Sequence, residues 1–255
     1  MRVVGIAMVK DEVDIIETTV VHMLHQVDHV VIADNGSTDG TSEILATLNC
    51  ETIDDPDPAY YQSRKMTALA HYAASAHRAD WVVPFDADEI WYPLHAATIR
   101  EALRGLTDEW VVPAWLFDHV VTDADASGVA PQHAMAHHLR NRTPLHKVAA
   151  RTRNGMVIEM GNHQVTYPDR VTSPPVAWDV LAVRHFPIRS PQQYIRKARQ
   201  GGAALALTDL DPACGQHWRD WARMTDQHLH DAFLDHWYYR ADDDRLVLDP
   251  APLSA

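Results

Sequence analysis

Residues 1–91 constrain the fold most, because short apolar runs alternate there with segments of helical period. Val3–Val9 is continuous and rich in β-branched side chains, as a strand covered on both faces must be. Val13, Ile15, Ile16, Val20, Met23, Leu24 and Val27 then recur at helical spacing. His29–Asp34 is a second buried run, and it stops at Asn35-Gly36-Ser37-Thr38-Asp39-Gly40, a dense cluster of turn formers. A helix over Thr41–Leu48 and a strand over Glu51–Asp54 follow. Pro56-Asp57-Pro58 breaks the chain before a helix from about Tyr60 to His77. Trp81–Phe85 is the fourth strand, and it delivers Asp86-Ala87-Asp88-Glu89. Such alternation predicts an α/β fold with a mainly parallel sheet flanked by helices. Ligands of such sheets sit beyond the carboxyl ends of the strands. Asp34 and Asp86 are therefore expected at one edge.

The second half is less regular. Val111–Phe117, Lys147–Ala150, Met156–Glu159 and Ala182–Phe186 read as strands, with a loop-rich insertion over residues 122–144. Ser190-Pro191-Gln192-Gln193 opens a helix, with Ser as N-cap, Pro at the first helical position and Gln three residues on. Residues 217–239 read as one aromatic-rich helix. No internal repeat or linker interrupts the chain. The expected organisation is one domain over residues 1–208, carrying a helical C-terminal extension over residues 209–255 packed on it.

Charge narrows the possible partners. The chain has 22 Lys+Arg against 35 Asp+Glu, a formal net charge of −13. So acidic a surface disfavours nucleic acid and anionic membrane. A phosphate-bearing ligand then needs a locally basic pocket or a cation. Only Cys50 and Cys214 are present, far apart, which argues against a disulfide framework or a structural zinc site. The 17 His match no zinc-finger spacing. No apolar stretch is long enough for a membrane span, and the N-terminal run is too short for a signal peptide. The expected location is the cytoplasm.

Asp86-x-Asp88 carries the chemistry. Two carboxylates so close repel one another, and a divalent cation relieves that repulsion. Oxygen ligands suit Mg²⁺ or Mn²⁺, which complete their shells with water and substrate phosphates. A diphosphate leaving group needs such a cation as negative charge builds on it. The triplet alone is a weak pattern, but here it ends the buried run Trp81-Val82-Val83-Pro84-Phe85.

Lys10-Asp11-Glu12 after the first strand, Asp34–Thr41 (DNGSTDGT) and Trp81–Trp91 (WVVPFDADEIW) together resemble the GT-A glycosyltransferases, in their family-2-like branch. Leu145-His146-Lys147-Val148, Gly161-Asn162-His163 and Arg184–Ser190 are similar to that branch too. The resemblance implies a Rossmann-like GT-A fold, with residues 1–91 as a nucleotide-binding half and 92–208 as an acceptor half. It implies a nucleotide-sugar donor, Mn²⁺ or Mg²⁺, a small-molecule or glycan acceptor, and inversion at the anomeric carbon. Ala7, Met8, Val9 and Asp34 would frame the nucleobase. Asp88 would ligate the metal directly, Asp86 would contact ribose, the metal or its water, and His185 would complete the shell. Glu89 would support the pair or stand exposed. Arg64, Arg189 and Lys197 would approach the diphosphate, the last two beside the Ser190 helix, whose N-terminus is itself suited to anions. No acidic residue matches the usual base of the family, so Asp118, His163 and Glu159 are the candidates. Trp218, Trp221 and Trp237 read as a packing stripe.

Three other readings use the same residues. A phosphotransferase with Asp-x-Asp as nucleophile and acid would carry the pair after its first strand, not its fourth. A nucleotidyltransferase would carry a Gly-rich basic loop where this chain has Met8–Glu12. An inactive nucleotide-sugar-binding module would keep the cleft and lose turnover.

Overall fold

In the computed structural model, which describes residues 1–168 and 174–249, the chain alternates as its periodicity predicts. β1 (Val3–Val9) leads through α1 (Ile16–Gln26) to β2 (His29–Asp34), and α2 (Thr41–Leu45) leads to β3 (Glu51–Asp54). Helix α3 (Gln62–Ala76) returns the chain to β4 (Trp81–Pro84), with β5 (Glu89–Pro93) and α4 (Ile99–Arg104) close behind. Then come β6 (Val111–Asp118), β7 (Val121–Thr122), α5 (Pro131–Ala134), β8 (His137–Leu139) and β9 (His146–Arg151). After β10 (Val157–Ile158), a 3-10 turn (Met160–Asn162) and β11 (Val165–Thr166), the chain enters β12 (Leu181–His185). Helices α6 (Pro191–Ala206), α7 (Gln216–Arg223) and α8 (Asp226–His236) are followed by β13 (Tyr238–Tyr239) and β14 (Leu246–Leu248).

Eight strands form one sheet in the order β3-β2-β1-β4-β9-β6-β12-β5. β3, β2, β1 and β4 are parallel neighbours, and β9 runs against both β4 and β6. β12 is parallel to β6 and antiparallel to β5. Six strands thus share one direction, and only β9 and β5 oppose it. The carboxyl ends of β1, β2, β4, β6 and β12 meet the amino ends of β5 and β9 at a single rim. This topology gathers Val9, Asp34, Asp118, His185, Glu89 and Lys147, and the β4–β5 turn adds Asp86 and Asp88. In register, His185 lies between Asp118 and Glu89.

The central strands β1, β2 and β4 are buried on both faces, which is why they read as continuous apolar runs. Val3, Ala7 and Val9 of β1 face Ile16, Val20 and Met23 of α1 in one core. Val4 and Ile6, the alternate residues, face Met66, Leu69, Ala70 and Ala73 of α3 in the other. Tyr194, Ala198, Leu229 and Phe233 build a smaller cluster between α6 and α8.

The structure differs from the sequence expectation in three places. The helix expected over residues 217–239 is broken at Met224, which is extended, and Thr225 restarts it by accepting the backbone N–H of His228. The insertion contains α5 and β8, and the short strands β7 and β8 pair with β13 and β14, about a hundred residues away. Glu89–Pro93, unassigned from sequence, is a strand, and Glu89 is buried rather than exposed. Residues 250–255 of the expected extension lie outside the described residues.

Close packing of α6 and α7 explains two glycines in mid-helix, where glycine costs about 1 kcal/mol relative to alanine. A Cβ at Gly202 would lie 2.2 Å from that of Ala222, and one at Gly201 2.6 Å from the Trp218 ring. Gly202→Ala is therefore expected to lower the melting temperature, reversing the gain of about 1 kcal/mol it brings in an unpacked helix. Thermal unfolding followed by circular dichroism reads the sign.

His119 ties the insertion to the core. Its ring stacks on Phe186 at 4.5 Å, and Nδ1 donates to the Met135 carbonyl at 2.7 Å. Burial pulls its pKa from 6.5 down to about 4. Below pH 6.5 the unfolded chain binds a proton that the native state refuses. The stabilisation is complete above pH 6.5 and is lost as pH falls toward 4, by up to about 3 kcal/mol. Urea midpoints measured across that window should fall with acid, and His119→Gln should flatten the slope.

Candidate functional site

The β4–β5 turn is closed by its own acids. Glu89 N–H donates to the Asp86 carbonyl at 3.1 Å, and Asp86 N–H donates to Glu89 Oε2 at 3.2 Å. Asp88 is 4% exposed and meets Lys197 Nζ at 2.5 Å, Arg189 Nη1 at 3.9 Å and His185 Nε2 at 4.0 Å. Burial alone would raise the Asp88 carboxyl, but Lys197, His185 and Arg189 outweigh it and hold it well below the usual carboxylate range. Burial would likewise lower His185. The hydrogen bond from its Nδ1 to Asp118, at 2.7 Å, and the charge of Asp88 raise it instead.

Lys147 lies in a piece noted for its resemblance but has no role assigned from sequence, yet it stands at the centre of the second acid group. It is buried, and its ammonium lies 2.6 Å from both Asp86 Oδ2 and Glu89 Oε1. Glu89 is fully buried and also accepts the Trp91 indole N–H at 3.1 Å. Burial pushes the Glu89 carboxyl up, while Asp86 and Glu89 overcome burial to push the Lys147 ammonium up. Asn162, held at a positive φ of 58°, donates to Asp86 Oδ1 at 3.2 Å.

The Lys10-Asp11-Glu12 triplet has a physical reason at each position. Lys10 Nζ donates to the carbonyls of Asn35 and Gly36, both at 2.8 Å. Asp11 accepts Thr38 N–H at 2.6 Å and Gln200 Nε2 of α6 at 2.5 Å. Glu12 meets Arg189 Nη2 at 2.5 Å, and Asp14 meets Arg189 Nε at 2.8 Å. The triplet thus locks the β2–α2 turn and the start of α6 onto β1.

A cavity of about 620 Å³ lies over this rim, within the ~300–1,000 Å³ usual for small-molecule sites. Asp86, Asp88, Lys147, His185 and Lys197 line it, as do Met8, Val9, Lys10, Asn35 and Tyr60. Asp118 and His163 line it too. His163 binds the His146 carbonyl through Nδ1 at 2.7 Å, and burial, then the charge of Lys147, lowers its pKa. Trp218, Trp221 and Trp237 also line the cleft. The expected packing stripe is therefore in part a cleft wall, which helical period alone cannot distinguish.

Other expected residues stand elsewhere. Asp34 spends both oxygens on its own turn, accepting Ser37 N–H at 3.0 Å and the hydroxyls of Ser37 and Ser42. Its neighbour Asn35 faces the cleft instead. Ala7 is buried in β1, behind Met8 and Val9. Arg64 points outward, paired with Asp57 at 2.7 Å and lying over the Tyr61 ring. Glu159 accepts the Thr166 hydroxyl at 3.1 Å on the partly exposed side of β10. Arg189 lines up beneath Asp88 rather than along the cleft wall.

A mixed α/β sheet with a charged, nucleotide-sized cleft at its carboxyl rim defines the class: an enzyme fold that takes its ligands at the strand ends. The profile of glycosyl transferase family 2 matches residues 6–157, and the chain belongs to that family. No curated protein matches the chain. Among solved structures, it is similar to TarS 1-349 of S. aureus in complex with UDP-GlcNAc, at 11% identity and a TM-score of 0.44, over 92% of this chain and 73% of that one. It is also similar to glucosyl-3-phosphoglycerate synthase of Mycobacterium tuberculosis in complex with Mn²⁺, UDP and phosphoglyceric acid, at 17% identity and a TM-score of 0.35, over 45% and 43%. A third is mannosyl-3-phosphoglycerate synthase of Rubrobacter xylanophilus, at 19% identity and a TM-score of 0.36, over 46% and 40%. The chain spans less than half the length of these last two. Among the described residues, no helix is long and apolar enough to cross a membrane.

Proposed function

We propose that this protein moves a sugar from a nucleoside-diphosphate sugar to an acceptor hydroxyl, with inversion, using a divalent cation held by Asp88 and His185 beside Asp86. The observation that carries this reading is the facing pair Asp88 Oδ1 and His185 Nε2, 4.0 Å apart in the rim cleft. With bonds of about 2.0–2.2 Å, two ligands of one cation stand about 3.0 Å apart when adjacent and about 4.2 Å when opposite, so the pair brackets a cation after a small movement. Asp118 holds His185 through Nδ1, the outer support that metal-binding imidazoles usually have. This makes Asp118 a positioning residue. When bound, Mn²⁺ or Mg²⁺ supplies positive charge where the diphosphate leaving group gains negative charge.

The chain supplies the rest. Lys10, Lys147 and Lys197 bring ammonium groups to a cleft that Glu12, Asp86, Asp88 and Asp118 also line, so a bound cation would tip the local charge toward a diphosphate. Met8, Val9, Asn35 and Tyr60 supply the wall for a nucleobase. His163 is the proposed base. With Nδ1–H given to the His146 carbonyl and a depressed pKa, its Nε2 is a free acceptor at neutral pH. The indoles of Trp218, Trp221 and Trp237 suit an acceptor with ring faces, a glycan or a cyclic small molecule, because aromatic faces pack well against the apolar faces of rings.

The test is release of nucleoside diphosphate from a panel of nucleotide sugars in the presence of Mn²⁺. Turnover that disappears on chelation supports the proposal. Release of inorganic phosphate or pyrophosphate instead would favour a phosphotransferase or nucleotidyltransferase. Tight nucleotide binding with no turnover on any donor would favour a binding module.

A further inference from the structure

The opposite rim of the sheet holds a cluster that the cleft does not use. His29 opens β2, Glu51 opens β3, and His77 follows α3 just before β4. These are amino ends of parallel strands, so the cluster lies at the far rim from Asp86 and Asp88. One ligand atom from each residue falls within 4.8 Å of the others. His29 Nε2 lies 3.2 Å, and His77 Nε2 2.8 Å, from the same oxygen, Glu51 Oε2. Glu51 Oε1 accepts the Tyr72 hydroxyl at 2.5 Å. The two imidazole rings lie one on the other, centroids 4.2 Å apart.

Hydrogen bonding accounts poorly for this arrangement. His77 Nε2 is shut off from water and, though close to the carboxylate, makes no hydrogen bond of acceptable angle. A cation between the three atoms would take a lone pair from each, including the buried and unpartnered Nε2 of His77. Two imidazole nitrogens and one carboxylate oxygen form a donor set for Zn²⁺-class ions, not for Mg²⁺ or Ca²⁺. Ligands on a tetrahedral zinc stand about 3.3 Å apart, given bonds of about 2.0–2.1 Å. The separations of 2.8 and 3.2 Å need to open by only tenths of an ångström. The Tyr72 hydroxyl holds the other carboxylate oxygen, Oε1, and so fixes the orientation of Glu51.

We infer that His29, Glu51 and His77 form a zinc-class site that staples β2, β3 and the α3–β4 junction at the rim away from the cleft. The sequence expectation of no structural zinc rested on cysteine usage. This set uses none, and its members are separated by 22 and 26 residues, beyond any local spacing signature.

Metal-stripped full-length protein is titrated with ZnCl₂ by calorimetry, and with CoCl₂ by visible absorption, in the parent, in Asp88→Asn and in His29→Ala/His77→Ala. The expected result is one tight site with a tetrahedral Co²⁺ spectrum, common to the parent and Asp88→Asn and unaffected by millimolar Mg²⁺, with any weaker binding in the cleft confined to proteins that keep Asp88. Affinity should fall at least tenfold in the double variant, and Tyr72→Phe should weaken it by about 10-fold or more. Zinc should also raise the melting temperature of the parent and not of the double variant. Equal zinc affinity and equal cobalt spectra in parent and double variant would overturn the inference. So would loss of the site in Asp88→Asn, which would place the ion in the cleft.

Discussion

Asp88→Asn is expected to lower kcat about 10³-fold or more while the protein stays folded. The side chain keeps its size, and the cations around it keep other partners. Arg189 retains Glu12 and Asp14, and Lys197 retains the Pro187 carbonyl at 3.2 Å. What disappears is the full negative charge facing His185. Loss of one preorganised electrostatic group at a site of developing charge typically costs ~10²–10³ in rate, and loss of a metal ligand costs at least as much. Steady-state turnover across a Mn²⁺ titration, with circular dichroism on the same samples, separates lost chemistry from lost fold. Excess Mn²⁺ should restore little. Parent-like turnover in this variant would remove Asp88 from the mechanism.

Lys147→Met is expected to show the largest effect on stability, a loss of about 3–5 kcal/mol, the usual cost of stripping one partner from a buried ion pair. Lys147 is the only cation within bonding distance of Glu89 among the described residues, and Glu89 has no exposure to water. Without it, Glu89 and Asp86 face each other uncompensated, and Glu89 must take up a proton to stay buried. Its folded pKa then lies well above the unfolded value, so the defect is smallest in acid and grows as pH rises. Urea unfolding at pH 5 and pH 8 should show that difference. Lys147→Met combined with Glu89→Gln should recover most of the loss, because the orphaned charge goes with its partner. A single variant as stable as the parent at pH 8 would mean that Glu89 is not held as an ion.

The features legible in sequence were those that a local pattern can carry. β1 and β2 follow their apolar runs, because a doubly covered strand has few polar positions to blur its bounds, whereas β3 is an edge strand with every second residue exposed. The Ser190-Pro191 start of α6 is likewise local, with Ser190 accepting Gln193 N–H at 3.1 Å. Asp88 and His185 rest on the family resemblance, whereas Asp86 could be picked because it follows a strand end, and parallel topology carries strand ends to one rim. Lys147 could not. The resemblance of Leu145–Val148 flagged the segment but not the role, which arises from the insertion of β9 between β4 and β6 and brings Lys147 across 61 residues to Asp86. Asp34 shows what a strand end alone does not tell. Its place at a strand end suited ligand contact, but Ser37 and Ser42 were near enough to claim both of its oxygens. Arg64 sits on the wet face of α3, and a helix wheel does not say which polar face a cleft will meet.

Crystals grown with Mn²⁺ and a nucleoside diphosphate, measured at a wavelength where manganese scatters anomalously, decide the matter most directly. The prediction is one strong anomalous peak ligated by Asp88 and His185, with Lys197 drawn from Asp88 toward the diphosphate. A diphosphate bound at another surface, or a cleft in which Lys197 stays on Asp88 and no peak appears beside His185, would contradict it.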